Sequence, residues 1–420
     1  MPRSALARAL TVIGPGLAIA ATGVGAGDMI SATVAGSRFG LAIAWAAALG
    51  ALFKFVLNRG LANWQLATGT TLLEGWANHL GRGVQWVFMA YLVLWSFIVG
   101  GALMNACGLA AHALVPQVSL EAWAVLHSVV AALAVLAGGY STFERSVKLF
   151  IGIMFATLVG SAALISPPLE TVVQTVREAG IPAGSGPLIV GVMGGVGGSV
   201  TLLSYGYWIR ERGWEGARFA PIVRLDLAVA YGLTGLFGVA VVVLAANTLH
   251  GGDPVAGSGA ATRMAVMLET ALGPAGKWMF LVGFWGAVAT SMLGVWQGVP
   301  YLFADFLRLV RRAESPPDLT RTPSYRGFLA FLALAPIVLL AFDKPVLLVV
   351  VYSVFGALFM PFLAATLLYL NGSPRRVGAL KNGPVTITLL VGCLALFAYL
   401  AYDQIGGVIE TVGEFFRDVG

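Results

Sequence analysis

One stretch early in the chain carries the residues best suited to chemistry. Residues 22–30 read TGVGAGDMI, in which three glycines at alternate positions are followed by Asp28. Glycine weakens a helix by about 1 kcal/mol relative to alanine, and a carboxylate within an apolar segment is costly and functional by default. The pattern predicts a broken helix with Asp28 at the break, either binding a cation or forming the N-cap of the helix that resumes.

The composition identifies the surroundings of this stretch as a membrane. The 420 residues are 58% hydrophobic and 10% charged, with a mean hydropathy of +0.87, whereas soluble proteins are about 25% charged. Repeated apolar runs of about 20 residues predict helices rather than a barrel. Cys107 and Cys393 lie in separate apolar runs, which excludes a disulfide framework and a thiolate metal motif.

The apolar runs predict an all-α integral membrane protein with one transmembrane transporter domain over residues 1–420 and eleven spans. The first run has a counterpart later in the chain, so it is read as a span and not as a cleaved signal peptide. The connections between spans are rich in Pro, Gly and Ser and are predicted to be loops. The predicted spans are 11–35, 41–66, 84–112, 119–137, 146–166, 187–210, 222–248, 277–307, 327–342, 346–370 and 385–403.

The basic residues predict the orientation. With the N-terminus placed in the cytoplasm, about three quarters of the 25 Lys and Arg fall on the cytoplasmic side. This bias places the C-terminus outside, in the plasma (inner) membrane. It accounts for the net charge of +6 by contact with the lipid bilayer, without nucleic acid.

An internal repeat links the glycine run to a second segment. Pro15 aligns with Pro187, and Gly23-Val24-Gly25 aligns with Gly195-Val196-Gly197. Five predicted helices separate the two starts, so the copies enter the membrane from opposite sides: residues 11–166, then 187–370, with an extra helix at 385–403. Paired, glycine-interrupted spans in inverted repeats are typical of the substrate site of a secondary transporter. Close helix packing is the alternative for the glycines.

At this point the chain resembles a known family. GPGLAIAATGVGAGDMISATVAGSRFG (14–40), LATGTTLLEG (66–75), FERSVKLFIGIM (143–154) and Gln297 are similar to the Nramp (natural resistance-associated macrophage protein) divalent-metal transporters. The resemblance covers essentially the whole chain. It implies the LeuT-type fold, a 5+5 inverted repeat in which helices 1 and 6 are broken.

The resemblance also shows where this chain departs from the family. Gly25 stands where the family has a metal-binding aspartate, and Asp28 stands where it has an asparagine. Residues 201–203, Thr-Leu-Leu, replace Met-Pro-His of the sixth helix, so the sulfur ligand is lost. The third helix, residues 84–111, lacks the acidic residues that the family associates with proton passage.

The remaining ligands are oxygens, which suit Mg²⁺ or Mn²⁺ better than softer metals. Asp28 and Thr201 are the candidate metal ligands, helped by backbone carbonyls near residues 21–25 and 193–197. Ser199 and Thr201 would alternatively bond back to their own helix. The full set of expected ion-binding residues is Gly25, Ala26, Asp28, Gly197, Ser199, Thr201, Ser204 and Gln297.

Other polar residues suggest gates and anchors. Glu74, Glu144 and Tyr205 are candidate gating residues. Asp226 and Asp305 lie near helix ends beside arginines and are expected to be paired anchors. If the cargo is an anionic or zwitterionic solute, Tyr205, Tyr207 and Trp208 would line its pocket.

The sequence therefore predicts a monomeric transporter that moves a hard divalent cation by alternating access, without tight proton coupling. The metal is the substrate, and no cofactor is expected. The alternatives are a LeuT-fold transporter of a non-metal small solute and a non-transporting sensor. An enzyme is not expected, because the spans contain no nucleophile–base pair and no His/Glu metal motif.

Overall fold

The computed structural model describes residues 15–23, 25–195, 199–313 and 318–417. Its α-helices, numbered in chain order, are α1 Pro15–Gly23, α2 Ala32–Phe39, α3 Ala44–Thr68, α4 Leu72–His79, α5 Arg82–Leu114, α6 Leu120–Ile165, α7 Leu169–Ala179, α8 Gly186–Gly195, α9 Ser204–Glu211, α10 Ala220–Thr248, α11 Ala260–Leu272, α12 Pro274–Arg311, α13 Pro323–Leu334, α14 Pro345–Ala357, α15 Phe359–Leu370, α16 Pro374–Val377 and α17 Pro384–Arg417.

The first and sixth predicted spans are both broken. In the first, α1 ends at Gly23 and a π-helical turn, Gly27–Ser31, leads into α2. In the sixth, α8 ends at Gly195, and a short 3₁₀ turn, Val200–Leu203, precedes α9. Glycine is the last residue of both α1 and α8. It destabilises a helix because it loses more backbone entropy on folding than any other residue. The predicted breaks are confirmed.

The broken spans lie at the centre of the bundle. Within the sixth span, Gly186–Glu211, 93% of the most apolar 18-residue stretch is buried. The corresponding share for Leu120–Ala137 is 22%. The π-turn packs against α8 and α14, while α1 packs against α10 and α12. Helices α3 and α10 pack along one another, and α5, α6 and α12 form the neighbouring wall. Unwound backbone at membrane depth is tolerated only inside such a protein environment.

Two connections predicted to be loops contain helices. Helix α7 lies within the segment after the fifth span, and α11 lies within the segment after the seventh. In α7, Leu169, Val172, Val173 and Val176 repeat at helical spacing, which the Pro and Gly residues at its edges conceal. Helix α11, by contrast, buries Met264, Met267 and Leu268. The loop prediction is wrong for these parts.

Other differences concern where spans begin and end. The fourth and fifth predicted spans form one helix, α6, of 46 residues; the segment that joins them contains no proline to stop helix propagation. The ninth predicted span ends as a 3₁₀ helix that starts beside Pro336, and the tenth is divided at Leu358. By length and composition, the described residues contain eight helices able to span a membrane, or up to ten counting bent pairs.

Candidate functional site

The two helix breaks touch at Gly27 and Gly195. A Cβ added to Gly195 would lie 2.8 Å from the carbonyl carbon of Gly27 and 2.9 Å from its oxygen, which real Cβ atoms do not approach. Gly27 also lies against the hydroxyls of Tyr352 and Ser353 on α14. The glycines at the crossing therefore permit the close backbone approach that joins the two broken spans.

Asp28 lies at this crossing, in the π-turn Gly27–Ser31, and its side chain is fully buried. Such π-turns are frequent at functional sites, because they displace a side chain from the regular helix. The N-cap position of this turn is held by Ala26, so the N-cap alternative for Asp28 is wrong. Its carboxylate acts electrostatically on Lys54 and on Tyr352.

Lys54 is the functional candidate that sequence reasoning missed. Its side chain is fully buried in α3, and its Nζ donates a hydrogen bond to the carbonyl oxygen of Gly194 at 2.7 Å. Gly194 belongs to the last turn of α8, where the carbonyls carry the negative end of the helix dipole. The available signal was a lone lysine ten residues inside an apolar span, which is as costly as a buried carboxylate.

Three carbonyls near the breaks already accept hydrogen bonds. The Gly194 oxygen accepts from Lys54, the Gly25 oxygen from the amide of Met29 at 3.0 Å, and the Thr22 oxygen from the Ser291 hydroxyl at 2.7 Å. The sequence predicted that carbonyls in these two segments would be free to bind a cation. For these three the prediction is wrong, because side chains and the π-turn satisfy them.

The hydroxyls predicted in the sixth span are buried. Within the described part of the chain, Thr201 Oγ1 and Ser204 Oγ have no hydrogen-bond partner, so back-bonding of Thr201 to its own helix is wrong. Ser204 packs against Gly298, and Ser199 packs against Gly356 and near the Trp95 indole. Two hydroxyls without a hydrogen-bond partner among the described residues thus follow the second break, one turn apart.

Gln297 is held in a separate set of hydrogen bonds. Its side-chain oxygen accepts from the Trp208 indole, its amide donates to Tyr301 at 3.4 Å, and its backbone oxygen accepts from Tyr325 at 2.7 Å. None of these described bonds reaches Asp28.

The remaining predicted site residues have a packing role or lie outside the described residues. Gly25 lies against Ser291 of α12, and Ala26 begins the π-turn. Gly197 and the side chain of Glu144 lie outside the described part of the chain.

Glu74 belongs to a charged cluster at one end of the bundle. Glu74 forms a capping box with Thr71 at the start of α4. Its Oε1 also accepts from Arg308 Nη2 at 2.5 Å, and Arg308 Nε donates to Asp305 Oδ1 at 2.8 Å. Arg308 and Asp305 are 12% and 1% exposed, so both charges are largely withdrawn from water and depend on each other. The prediction that Asp305 is a paired anchor is confirmed.

The second oxygen of Asp305 holds α9. Asp305 Oδ2 accepts from the Tyr207 hydroxyl at 2.7 Å and from the Thr71 hydroxyl at 2.9 Å. Tyr301 stacks on Tyr207 with ring centroids 5.3 Å apart and donates to Glu211 at 3.2 Å. One carboxylate therefore ties α9 to α12 and to the α3–α4 connection.

Asp226 holds the other side of α9. Its Oδ2 accepts from the Tyr205 hydroxyl at 2.9 Å and from the Gly16 amide at 2.6 Å, at the start of α1. Asp226 thus caps the start of α1 and also anchors α9 through Tyr205. We call the connected set the α9 network: Gly16, Thr71, Glu74, Tyr205, Tyr207, Asp226, Asp305 and Arg308.

The described residues contain no group of three or more His, Cys, Asp or Glu able to hold a metal ion. The site consists instead of two broken helices that cross at glycine, with one carboxylate and one ammonium between them. This architecture defines a class: multi-span helical transporters whose site lies at two discontinuous helices.

Comparison with known proteins gives the family. Residues 16–405 match the family described as natural resistance-associated macrophage protein-like, Nramp, and the chain belongs to that family of membrane transporters. It is 24% identical over 422 residues to the "Divalent metal cation transporter MntH" of Deinococcus radiodurans, with 95% of this chain and 91% of the relative aligned.

Solved structures show the same fold. A manganese transporter from Eremococcus coleocola superimposes with a TM-score of 0.71 at 15% identity, over 100% of this chain and 96% of that one. MhsT, solved in complex with L-phenylalanine, superimposes with a TM-score of 0.60 at 13% identity, over 96% and 98%. The predicted Nramp membership and fold class are confirmed.

Proposed function

We propose that this protein is a secondary transporter of a divalent metal cation, Mg²⁺ or Mn²⁺, and that it works by alternating access around the two helix breaks. The relatives named above are a divalent metal cation transporter and a manganese transporter. The observation that carries the proposal is the fully buried Asp28 at the contact between the breaks. A carboxylate in this position supplies the charge that a cation needs within the bilayer.

The ligand chemistry supports a hard cation. The side-chain groups near the breaks that could bind a cation are the Asp28 carboxylate and two hydroxyls, Thr201 and Ser204, which have no hydrogen-bond partner among the described residues. All are oxygens, which suit Mg²⁺ and Mn²⁺. Mg²⁺ also keeps part of its water when bound, so it needs few protein ligands.

Transport is proposed to proceed without tight proton coupling. Helix α5, the third span, contains no aspartate or glutamate along its 33 residues. A relay of carboxylates through this helix is therefore not available. The protein is proposed to act as a monomer in the plasma (inner) membrane, its N-terminus cytoplasmic and its C-terminus outside, since the basic residues favour that orientation.

A second candidate is favoured by one observation. The Lys54 ammonium places a positive charge at the crossing, and such a charge would suit a small solute that carries a carboxylate. A non-transporting sensor is the remaining alternative.

The test is cation flux into proteoliposomes with Mg²⁺, Mn²⁺ and Ca²⁺, comparing the native protein with Asp28→Asn. Asp343→Asn is the matched control, because Asp343 is exposed and its left-handed backbone (φ 46°) is one that asparagine accepts. We expect saturable Mg²⁺ or Mn²⁺ flux that Asp28→Asn abolishes and Asp343→Asn preserves. Flux unaffected by Asp28→Asn would contradict the site, and no metal flux in the native protein would contradict the function. Solute flux would then support the second candidate, and no flux at all the sensor.

A further inference from the structure

Lys54 places its ammonium at the carbonyl end of α8, at the second break. Its ammonium donates to Gly194 in the last turn of α8, at the negative end of that half-helix. It also acts electrostatically on Asp28 across the crossing. A carboxylate and a helix carbonyl end are the two features that attract a cationic cargo to a broken-helix site. In the present conformation, a side chain of the protein itself binds the carbonyl end of α8 and adds a positive charge near the carboxylate.

The close packing of α3 against α8 brings Lys54 within reach of Gly194. A Cβ on Gly50 would lie 2.9 Å from the Cα of Met193, so α3 and α8 are in near backbone contact there. Gly50 and Lys54 are four residues apart and share one face of α3. Helix side chains lean toward the N-terminus, so Lys54 leans toward Gly50 and reaches Gly194, the residue after Met193.

A second acceptor lies on the same face of α3. Asn58 follows Lys54 by four residues and is fully buried, and its amide nitrogen donates to the Tyr231 hydroxyl at 3.0 Å. Its Oδ1 has no hydrogen-bond partner among the described residues. An unsatisfied buried acceptor costs about 1–3 kcal/mol, and the Asn58 side chain leans toward Lys54. Tyr231 fixes the amide so that its oxygen stays available.

We propose that Lys54 is a tethered, exchangeable cation. It occupies the Gly194 carbonyl beside Asp28 when the site is empty, and the cargo cation displaces it onto Asn58 Oδ1. The lysine stem is flexible and its ammonium is a compact charge, so the ammonium moves one helical turn without movement of α3. The inference rests on the proposed cation transport and specifies what the cargo competes with.

The competition determines the direction of each mutational effect. Lys54→Met removes one positive charge that competes with the cargo, so it lowers the KM for Mn²⁺ by about tenfold. A tenfold change corresponds to about 1.4 kcal/mol, less than the interaction of two unit charges about 4 Å apart at a protein surface. Without the acceptor the displaced ammonium has no partner, so Asn58→Leu raises the KM. In the double variant Asn58→Leu has no further effect, because no ammonium is left to receive.

The experiment measures Mn²⁺ and Mg²⁺ uptake by proteoliposomes at one fixed pH for the native protein, both single variants and the double variant. Lys277→Met is the matched control, because it removes the same charge from the first turn of α12 and is expected to leave the KM unchanged. Lys54→Gln repeats the test with a polar side chain if Lys54→Met yields little folded protein.

The outcomes separate this inference from the function on which it rests. A KM that stays the same or rises in Lys54→Met and Lys54→Gln overturns the displacement. So does loss of flux in these variants while the native protein transports, or an equal Asn58→Leu effect with and without Lys54. Absence of Mn²⁺ and Mg²⁺ flux in every variant, native included, contradicts the proposed function itself and removes the inference with it.

Discussion

Gly195 lies so close to Gly27 that the two helix breaks meet through backbone alone. The carbonyl carbon of Gly27 would be 2.8 Å from any Cβ at position 195, and the amide nitrogen of Asp28 would be 3.2 Å away. The position of Asp28 is therefore constrained by a backbone contact between the two broken spans. Any side chain at Gly195 must move the π-turn that carries Asp28.

Gly195→Ala is expected to destabilise the crossing. Overpacking in a tight interior costs about 1–3 kcal/mol, and the displacement of Asp28 would also lower cation flux. The measurement is thermal unfolding in detergent together with flux. Gly392→Ala is the control, since Gly392 lies in α17 with no atom within 4 Å of an added Cβ and alanine favours the helix by about 1 kcal/mol. Equal stability for the two variants would contradict the contact.

Thr201→Val tests whether a buried hydroxyl binds cargo. The substitution keeps the shape of the side chain and removes an oxygen without a partner in the described part of the chain. Replacing an unsatisfied hydroxyl would raise the free energy of unfolding by about 1 kcal/mol. As a cation ligand, Thr201 would in addition give a higher KM for Mn²⁺ in the variant. A gain in stability with an unchanged KM for Mn²⁺ would show that Thr201 is not a ligand of the transported cation.

Tyr207→Phe is expected to loosen α9. The variant removes one of the donors to the largely buried Asp305, a charged hydrogen bond worth about 1.5–3 kcal/mol. Opening is measured as the rate at which a water-soluble maleimide labels Ser204→Cys, with Cys107 and Cys393 replaced by alanine. We expect labelling about tenfold faster. Tyr402→Phe is the control, because Tyr402 is 86% exposed; the same rate in both variants would argue against the α9 network as a gate.

Asp226→Leu is expected to free the start of α1. Asp226 accepts the Gly16 amide, and loss of such a cap costs about 0.5–2 kcal/mol. Hydrogen exchange of the peptide that covers α1 should accelerate, while exchange of α13 stays the same. Asp253→Asn is the control, because Asp253 is 84% exposed in its pair with Arg263. Unchanged exchange of α1 would show that Asp226 does not hold this helix.

The contacts of the α9 network could be recognised only in the tertiary structure. Glu74, Asp226 and Asp305 were recognisable as costly charges near helix ends, and Tyr205 as a gating candidate. Their partners lie far away in the chain: Gly16 is 210 residues from Asp226, and Arg308 is 234 residues from Glu74. Helical periodicity carries no information about contacts at such separation, so the α9 network could not be derived from local pattern.

The sequence by itself determined the fold class, because hydrophobic length and glycine breaks act locally. A run of about 20 apolar residues has few alternatives in a bilayer, and the glycines at 23–27 and 194–195 weaken their own helices wherever they lie. Asp28 was identified for the same reason. Only the tertiary structure decided what faces it, since the approach of α3 to α8 at Gly50 brings the Lys54 ammonium to the Gly194 carbonyl. The sequence of α3 alone shows that Lys54 is a cation within an apolar span. Its carbonyl partner, Gly194, lies on α8, and Asp28 lies in the π-turn before α2, so these neighbours are known only once the helices are packed together.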